Sequence, residues 1–404
     1  MPHILFLMSD TGGGHRAASR AIDAALQERY PGQFSAELLD VWKDYYPFPF
    51  NTLPRNYSRW VNTSPGTYSA QFWFNDHVFR NEAISQAMCV AEMPRMKRLF
   101  AQHPADLVVC VHSAFVRPAA FAHRRMPLRS PFVTVITDYA LPIVVWYSQD
   151  ADLTLAPTQP AFERGLALGL APDQIVLTGA PVHPKFTRVT ITKAAARASL
   201  GWDENLPAVL VIGGGDGMGP LVATAKAIDA SPVKCQIAIV AGRNEELKAA
   251  LDALPWNHRT HVYGFVNNIE VLMRAADLMV SKAGPATITE AALIGLPLVL
   301  SGAIPFQESP NTDYVVQNGA GVSAPGPERV AGSVTAILSG NGPTLQQLTN
   351  GIRKLAEPDA IWKIADEIAA VAQRGRRKRA PRDLALTLPP PVKDALLRVR
   401  GKSD

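Results

Sequence analysis

The chain has 404 residues, 47% of them apolar and 19% charged, with a mean hydropathy of +0.02. At ~150 residues per domain this length suits two or three domains, and the composition excludes a disordered chain. Net charge is +5, but residues 374–404 hold ten Lys/Arg against three Asp/Glu, so the rest of the chain carries −2; a nucleic-acid-binding body, whose basic patch belongs on the folded domain, is disfavoured.

The chain opens on an apolar run, Ile4–Met8, that stops at Ser9-Asp10-Thr11-Gly12. It is too short for the apolar core of a signal peptide, and no run approaches the ~18 residues that span a bilayer. The expectation is a chain neither exported by a leader nor integral to a membrane. Cys89, Cys110 and Cys235 lie far apart without a CxxC, which argues against a disulfide scaffold or zinc ribbon and fits a reducing cytoplasm.

In chain order, His3–Met8 reads as a buried strand, followed by a glycine loop and a helix from about His15 to Arg29. Strands are expected at Ser35–Leu39, Leu107–His112, Phe132–Thr137 and Leu153–Ala156. A second series starts at Ala208–Ile212, passes a loop from Gly213 to Gly219 and a helix to about Ala230, and continues with strands at Gln236–Val240, His261–Tyr263, Leu278–Ser281 and Pro297–Leu300. Helical patterns at Glu245–Ala253, Ile269–Ala275 and Thr287–Ile294 separate these strands. Short apolar runs alternating with helices predict an α/β protein with parallel sheets, and the two like openings predict two doubly wound domains sharing one cleft, with a boundary near Gly179–Thr192.

Residues 42–79 break this rhythm, holding 12 of the chain's 31 aromatics together with Pro47, Pro49, Pro54 and Pro65. Such an insert either packs on the N-terminal domain or forms an interfacial, lipid-accepting surface, since Trp and Tyr favour the headgroup region. The basic tail, 374–404, is a solvated disordered end, a second attraction to an anionic leaflet, or, as a third option, a nucleic-acid contact.

Four loops carry candidate chemistry. Gly12-Gly13-Gly14-His15-Arg16 joins a strand to a helix, so a ligand can approach backbone N–H groups closely, and His15 at that mouth can take a proton at neutral pH. The 213–219 loop lacks the Walker lysine, which disfavours ATP hydrolysis. Ser281-Lys282-Ala283-Gly284-Pro285-Ala286-Thr287 forms a corner where backbone N–H groups suit a diphosphate, with Glu290 placed to accept from ribose hydroxyls. Gln307, Glu308 and Asn311 bring amides and a carboxylate together, which suits a polyhydroxylated ligand. Asp150-Ala151-Asp152 fits the bare DxD pattern of metal-dependent sugar transferases but precedes a strand, and no metal site is expected.

The run Leu7-Met8-Ser9-Asp10-Thr11-Gly12-Gly13-Gly14-His15-Arg16 resembles the opening of plant and bacterial monogalactosyldiacylglycerol synthases, members of glycosyltransferase family 28. The resemblance continues through Thr137-Asp138, Gly179-Ala180-Pro181-Val182, Gly242-Arg243-Asn244, Gly264-Phe265-Val266, Lys282–Glu290, Ile304–Asn311 and Asn318-Gly319-Ala320-Gly321. It implies a GT-B architecture: an N-terminal acceptor domain, 1–185; a C-terminal donor domain, 186–345; and helices within 346–373 returning to the N-domain. It implies transfer of galactose or glucose from a UDP-sugar to diacylglycerol with inversion and His15 as general base. Gly13, Gly14 and Asp138 would lie on the acceptor side. Gly214, Gly215 and Arg243 would join the donor set, with Phe265 and Val266 against uracil. Ser281, Lys282, Gly284, Pro285 and Thr287 would face the diphosphate, Glu290 the ribose, and Gln307, Glu308 and Asn311 the sugar. UDP-sugar is then a co-substrate and no cofactor or metal is implied. The other partners are diacylglycerol and an anionic lipid surface, with the enzyme peripheral on the inner, cytoplasmic face of a membrane. The chain departs from relatives after Asp138, where it reads Tyr139–Trp146 in place of a histidine-bearing stretch.

Other readings are a UDP-sugar transferase with another lipid acceptor, a UDP-sugar 2-epimerase on the same fold, and a nucleotide-sugar binding module that would tolerate His15→Ala. A dinucleotide oxidoreductase has Asp40 as its ribose acid, but the glycine fingerprint is missing.

Overall fold

The computed structural model describes residues 1–11, 13–213, 217 and 219–378. They form two six-stranded parallel sheets flanked by helices. The N-terminal sheet runs, edge to edge, Ser35–Asp40, His3–Met8, Leu107–Cys110, Phe132–Val135, Leu153–Ala156, Ile175–Leu177. The C-terminal sheet runs Arg259–Tyr263, Gln236–Val240, Ala208–Ile212, Leu278–Lys282, Leu298–Gly302, Gly321–Ser323.

Central strands are continuous apolar runs because helices cover both faces. Period-two alternation divides each strand between two cores. Ile4, Phe6 and Met8 meet Ile22 and Leu26 of the helix Gly14–Arg29, while Leu5 and Leu7 meet Met96, Leu99 and Phe115 on the opposite face. In the C-terminal sheet Leu210 and Ile212 face one core, and Val209 and Val211 the other.

In each sheet the strand order reverses beside the first strand. The reversal falls between His3–Met8 and Leu107–Cys110 in one domain, and between Ala208–Ile212 and Leu278–Lys282 in the other. Ligands of open α/β sheets bind at such points, beyond the carboxyl ends of the strands. Those ends carry Gly13–His15 and His112 on one side, and Gly213, Gly217 and Ala283–Pro285 on the other.

The aromatic segment is helical in pieces: Val41–Tyr45, Leu53–Thr63 and Pro65–Val78, leading into Glu82–Gln102. Part of it packs on the N-terminal domain and part of it faces solvent. Tyr45, Val61, Tyr68 and Phe72 are buried in the N-domain core, whereas Phe48, Phe50, Trp73 and Phe74 are exposed, Phe48 by 80%. Among the described residues no helix is long and apolar enough to cross a membrane.

Of the stretch 346–373, expected to hold helices returning to the N-domain, the part around Ile361–Ala372 does so. Leu345–Lys354 stays on the C-domain because Leu348 and Ile352 point into its cores. Ala360–Ala372 crosses back and buries Ile361, Ile364, Ile368 and Val371 against Ile4, Phe6 and Met8. Asp366 then accepts from Arg29 and from the Tyr30 hydroxyl, the latter at 2.7 Å. The tail is ordered at its start: Arg377–Lys378 pairs antiparallel with Leu128–Arg129, and Arg377 reaches Asp152 at 3.0 Å. Residues 379–404, the rest of the basic tail, lie outside the described residues.

Candidate active site

Gly13 caps the first helix with φ at +76°, a left-handed conformation that favours glycine. No side chain caps this helix, so its first-turn N–H groups face the cleft mouth without a side-chain acceptor. His15 sits in that turn, partly buried. Its Nδ1 lies 2.7 Å from the Val111 carbonyl and 3.1 Å from Thr137 Oγ1. A carbonyl only accepts, so Nδ1 carries the proton and the lone pair is on Nε2. Burial pushes the His15 pKa down to about 4, against the Val111 bond and the charge of Asp10, which both raise it. The ring is therefore neutral at physiological pH. Its ring lies 4.2 Å from that of His112, tilted by 40°, and burial also holds the His112 pKa well below the ordinary value. His112 Nδ1 accepts from the Ala114 amide, leaving the His112 proton on Nε2 beside Thr11 Oγ1 at 3.2 Å.

Across the cleft, Gly217 is left-handed, and a Cβ there would lie 2.5 Å from the Ala241 carbonyl. Gly214 and Gly215, expected on the donor side, lie outside the described residues. A cavity of about 180 Å³ opens between the domains. Lys282, Ser301, Gly302 and Ile304 line it from one side and Val61 of the aromatic insert from the other. Pro285 begins the helix Pro285–Ile294, whose cap residue Gly284 offers no side chain to its N–H groups. Lys282 Nζ donates to Glu308 Oε1 at 2.6 Å, and the Ile304 amide donates to Glu308 Oε2 at 3.0 Å. Ser281 donates to the Lys282 carbonyl, and Thr287 is half-buried in the first turn of the helix. The Arg243 guanidinium stands 4.7 Å over the Phe265 ring, which is 54% exposed beside the half-buried Val266. Burial raises the Glu290 carboxyl to about 7, with Lys185 opposing and Glu270 assisting.

Three residues expected at the sugar and acceptor ends also hold the domains together. Asn311 Oδ1 accepts from the Ala140 amide at 2.9 Å, while its Nδ2 donates to the Ala283 carbonyl at 3.0 Å. Gln307 accepts from the Tyr68 hydroxyl at 2.8 Å and donates to Asp138 at 3.4 Å. The other Asp138 oxygen accepts from Trp146 Nε1 at 2.6 Å. The departing stretch Tyr139–Trp146 is thus mostly buried support behind Asp138, with only Leu141 exposed. Asp150 pairs with Arg124 and Arg125, and Asp152 with Arg129 and Arg377, at the amino end of a strand and away from the cleft. Asp40 serves Ser9, the Asp10 amide and the helix cap at Lys43.

The chain is 36% identical to a probable chloroplastic monogalactosyldiacylglycerol synthase of Glycine max over 375 residues, which cover 90% of this chain and 70% of that one. The spinach enzyme of that name is 34% identical over 374 residues, covering 90% and 72%. Residues 15–182 match the monogalactosyldiacylglycerol (MGDG) synthase family, and 208–329 match the glycosyltransferase family 28 C-terminal domain.

The chain belongs to the MGDG synthase family.

The fold agrees, being that of GT-B glycosyltransferases. MurG of Acinetobacter baumannii superposes with a TM-score of 0.58 at 18% identity, covering 92% of this chain and all of that one. Anabaena HepE, solved with UDP-glucose, gives 0.53 at 17% identity, covering 93% of this chain and all of that one. Within this MGDG synthase-like site, sequence reasoning passed over His112, Thr137 and Tyr68 as site residues. His112 follows the strand beside the switch point, so its signal was topological. Tyr68 had none beyond its place in the aromatic cluster.

Proposed function

We propose that the chain transfers galactose or glucose from its UDP-sugar to the free hydroxyl of diacylglycerol, inverting the anomeric carbon, with His15 as general base. The observation that carries this reading is the His15 ring itself: pinned at Nδ1, neutral, and bearing its lone pair on Nε2 at the mouth of an uncapped helix. The lipid hydroxyl gives its proton to Nε2 as its oxygen attacks the anomeric carbon, and the bond to UDP breaks on the opposite face. Help of this kind is worth ~10²–10⁴-fold. Negative charge growing on UDP meets Lys282 and the N–H groups that open Pro285–Ile294, which supply the stabilisation without calling on a metal. Arg243, Phe265 and Val266 are proposed for the uracil end, Glu290 for the ribose, and Gln307, Glu308 and Asn311 for the hexose.

The proposed location is peripheral, on the cytoplasmic face of a membrane. Exposed Phe48, Phe50, Trp73 and Phe74 supply one weak anchor, and the basic tail from Arg374 a second attracted to anionic lipid. Two such signals are needed for stable binding.

The test incubates the protein with UDP-galactose or UDP-glucose, separately, on diacylglycerol vesicles with and without anionic lipid and with a chelator present. Glycolipid from one donor, lost with His15→Ala, is expected. Full turnover by His15→Ala would remove the base assignment, and no glycolipid from the native protein under any condition would remove diacylglycerol as acceptor.

A further inference from the structure

Tyr68 belongs to the aromatic insert of the N-domain, yet its hydroxyl ends on a loop of the other domain, donating to Gln307 Oε1 at 2.8 Å. The second end of that amide is also held. Gln307 Nε2 faces Asp138 Oδ1 at 3.4 Å, and the second Asp138 oxygen is fixed by Trp146 Nε1 at 2.6 Å. A carboxylate only accepts hydrogen bonds, so it selects the NH₂ end of the amide, and the phenol O–H is left to meet the oxygen. The amide can satisfy both neighbours in only one of its two orientations.

Tyr68 is itself rigid. It is 8% exposed, with Tyr57 and Trp60 edge-on at 5.7 and 5.3 Å and Phe72 stacked at 6.3 Å. Gln307 lies on the loop between the strand Leu298–Gly302 and the helix Ser309–Gln317. Phe306, just before it, has φ at +65°, a conformation rare for a bulky side chain, and is 55% exposed. A rigid side chain from one domain therefore orients a functional amide on a strained loop of the other.

We propose that Tyr68 is a positioning residue for the donor sugar, fixing the Gln307 amide so that the site distinguishes the hydroxyl geometry of the hexose. This rests on the UDP-hexose reading above. With one N–H and one lone pair engaged, Gln307 keeps one of each for a ligand. Galactose and glucose differ only in the direction of the C4 hydroxyl, so a donor and an acceptor fixed in space favour one of them. Without the phenol only the long 3.4 Å contact with Asp138 holds the amide, and a donor and acceptor that swing about it blur the choice. The same contact makes the lipid-facing insert part of the wall that selects the sugar.

Tyr68→Phe keeps the ring packing and removes only the hydroxyl. Calorimetric binding of UDP-galactose, UDP-glucose and UDP alone needs no lipid, so the inference is tested even where diacylglycerol turnover fails. In Tyr68→Phe the preferred UDP-hexose should bind about five- to tenfold more weakly, as expected for one lost hydrogen bond. The ratio between the two hexoses should narrow by a similar factor, and the Kd of UDP should not move. A merely structural role would weaken UDP as well, or leave the hexose ratio untouched, and either result overturns the proposal. Gln307→Ala should abolish the preference, and Tyr68→Phe added to it should change nothing further. Additive losses would show that Tyr68 does not act through Gln307.

Discussion

The two sheets share a plan and differ in one place. The C-terminal sheet completes three strands on one side of its switch point, ending at the edge strand Arg259–Tyr263. The N-terminal sheet stops after two, at Ser35–Asp40, and spends residues 41–102 on helices where the other domain has its third strand. The C-terminal half thus keeps three strands on that side of its sheet, while the N-terminal half has exchanged a strand for an aromatic surface. That surface faces solvent with Phe48 and Phe74 and faces the cleft with Val61 and Tyr68. The proposed chemistry divides the same way, with the base on the N-terminal sheet and the groups proposed to stabilise charge on the C-terminal one.

The sharpest way to break this division is His15→Ala. It should lower kcat by ~10²–10⁴-fold while leaving UDP affinity unchanged, as read by steady-state rates beside calorimetry. A parallel loss of UDP affinity would mean that the halves do not separate. Next in size is Ile364→Ala. Ile364 is fully buried in the returning helix, so the substitution should destabilise the N-domain by about 2–5 kcal/mol, seen in urea unfolding followed by hydrogen exchange of its strands. Equal loss in both domains would make them one cooperative unit.

Glu290 gives the C-terminal half its own pH signature. Burial raises its carboxyl from the usual 4.5 to about 7, so it becomes neutral as pH falls through 7. UDP-hexose affinity, free of the terminal-phosphate step at ~6 that UDP itself carries, should then fall by at most about tenfold per pH unit below 7. In Glu290→Gln the dependence should vanish. The His15 ring, with its pKa near 4, adds no step in that window. The smallest effect is that of Thr344→Ala. Thr344 and Gln347 form a capping box on the helix Leu345–Lys354, and its loss should cost about 1 kcal/mol in the C-domain alone.

Much of the fold was legible because it is written locally. Buried parallel strands are apolar runs, and Ala208–Ile212 or Gln236–Val240 can be read directly from their residues. Ile175–Leu177 and Gly321–Ser323 were not legible, since three-residue edge strands exist only by pairing with a neighbour already in place. His112 was read as the end of a strand, whereas it leaves the sheet to cap the next helix. The glycine loops and His15 announce themselves by spacing. The bond from Tyr68 to Gln307 joins residues 239 apart in sequence, and no periodicity records such a meeting. The same holds for Asn311, whose amide reads as a polar loop group but is 1% exposed and engaged at both ends.

The returning helix also sets an order of events during synthesis. The face of the first sheet bearing Ile4, Phe6 and Met8 is partly covered by Ala360–Ala372, which leaves the ribosome only after the whole second sheet has been made. The last strand of the first sheet, Ile175–Leu177, precedes the end of that helix by nearly half the chain. At ~5–20 residues per second the first sheet waits roughly 10–40 s with part of its apolar face uncovered. A nascent chain of this design needs shelter in that interval, and one cut short before residue 360 keeps the exposed face for good.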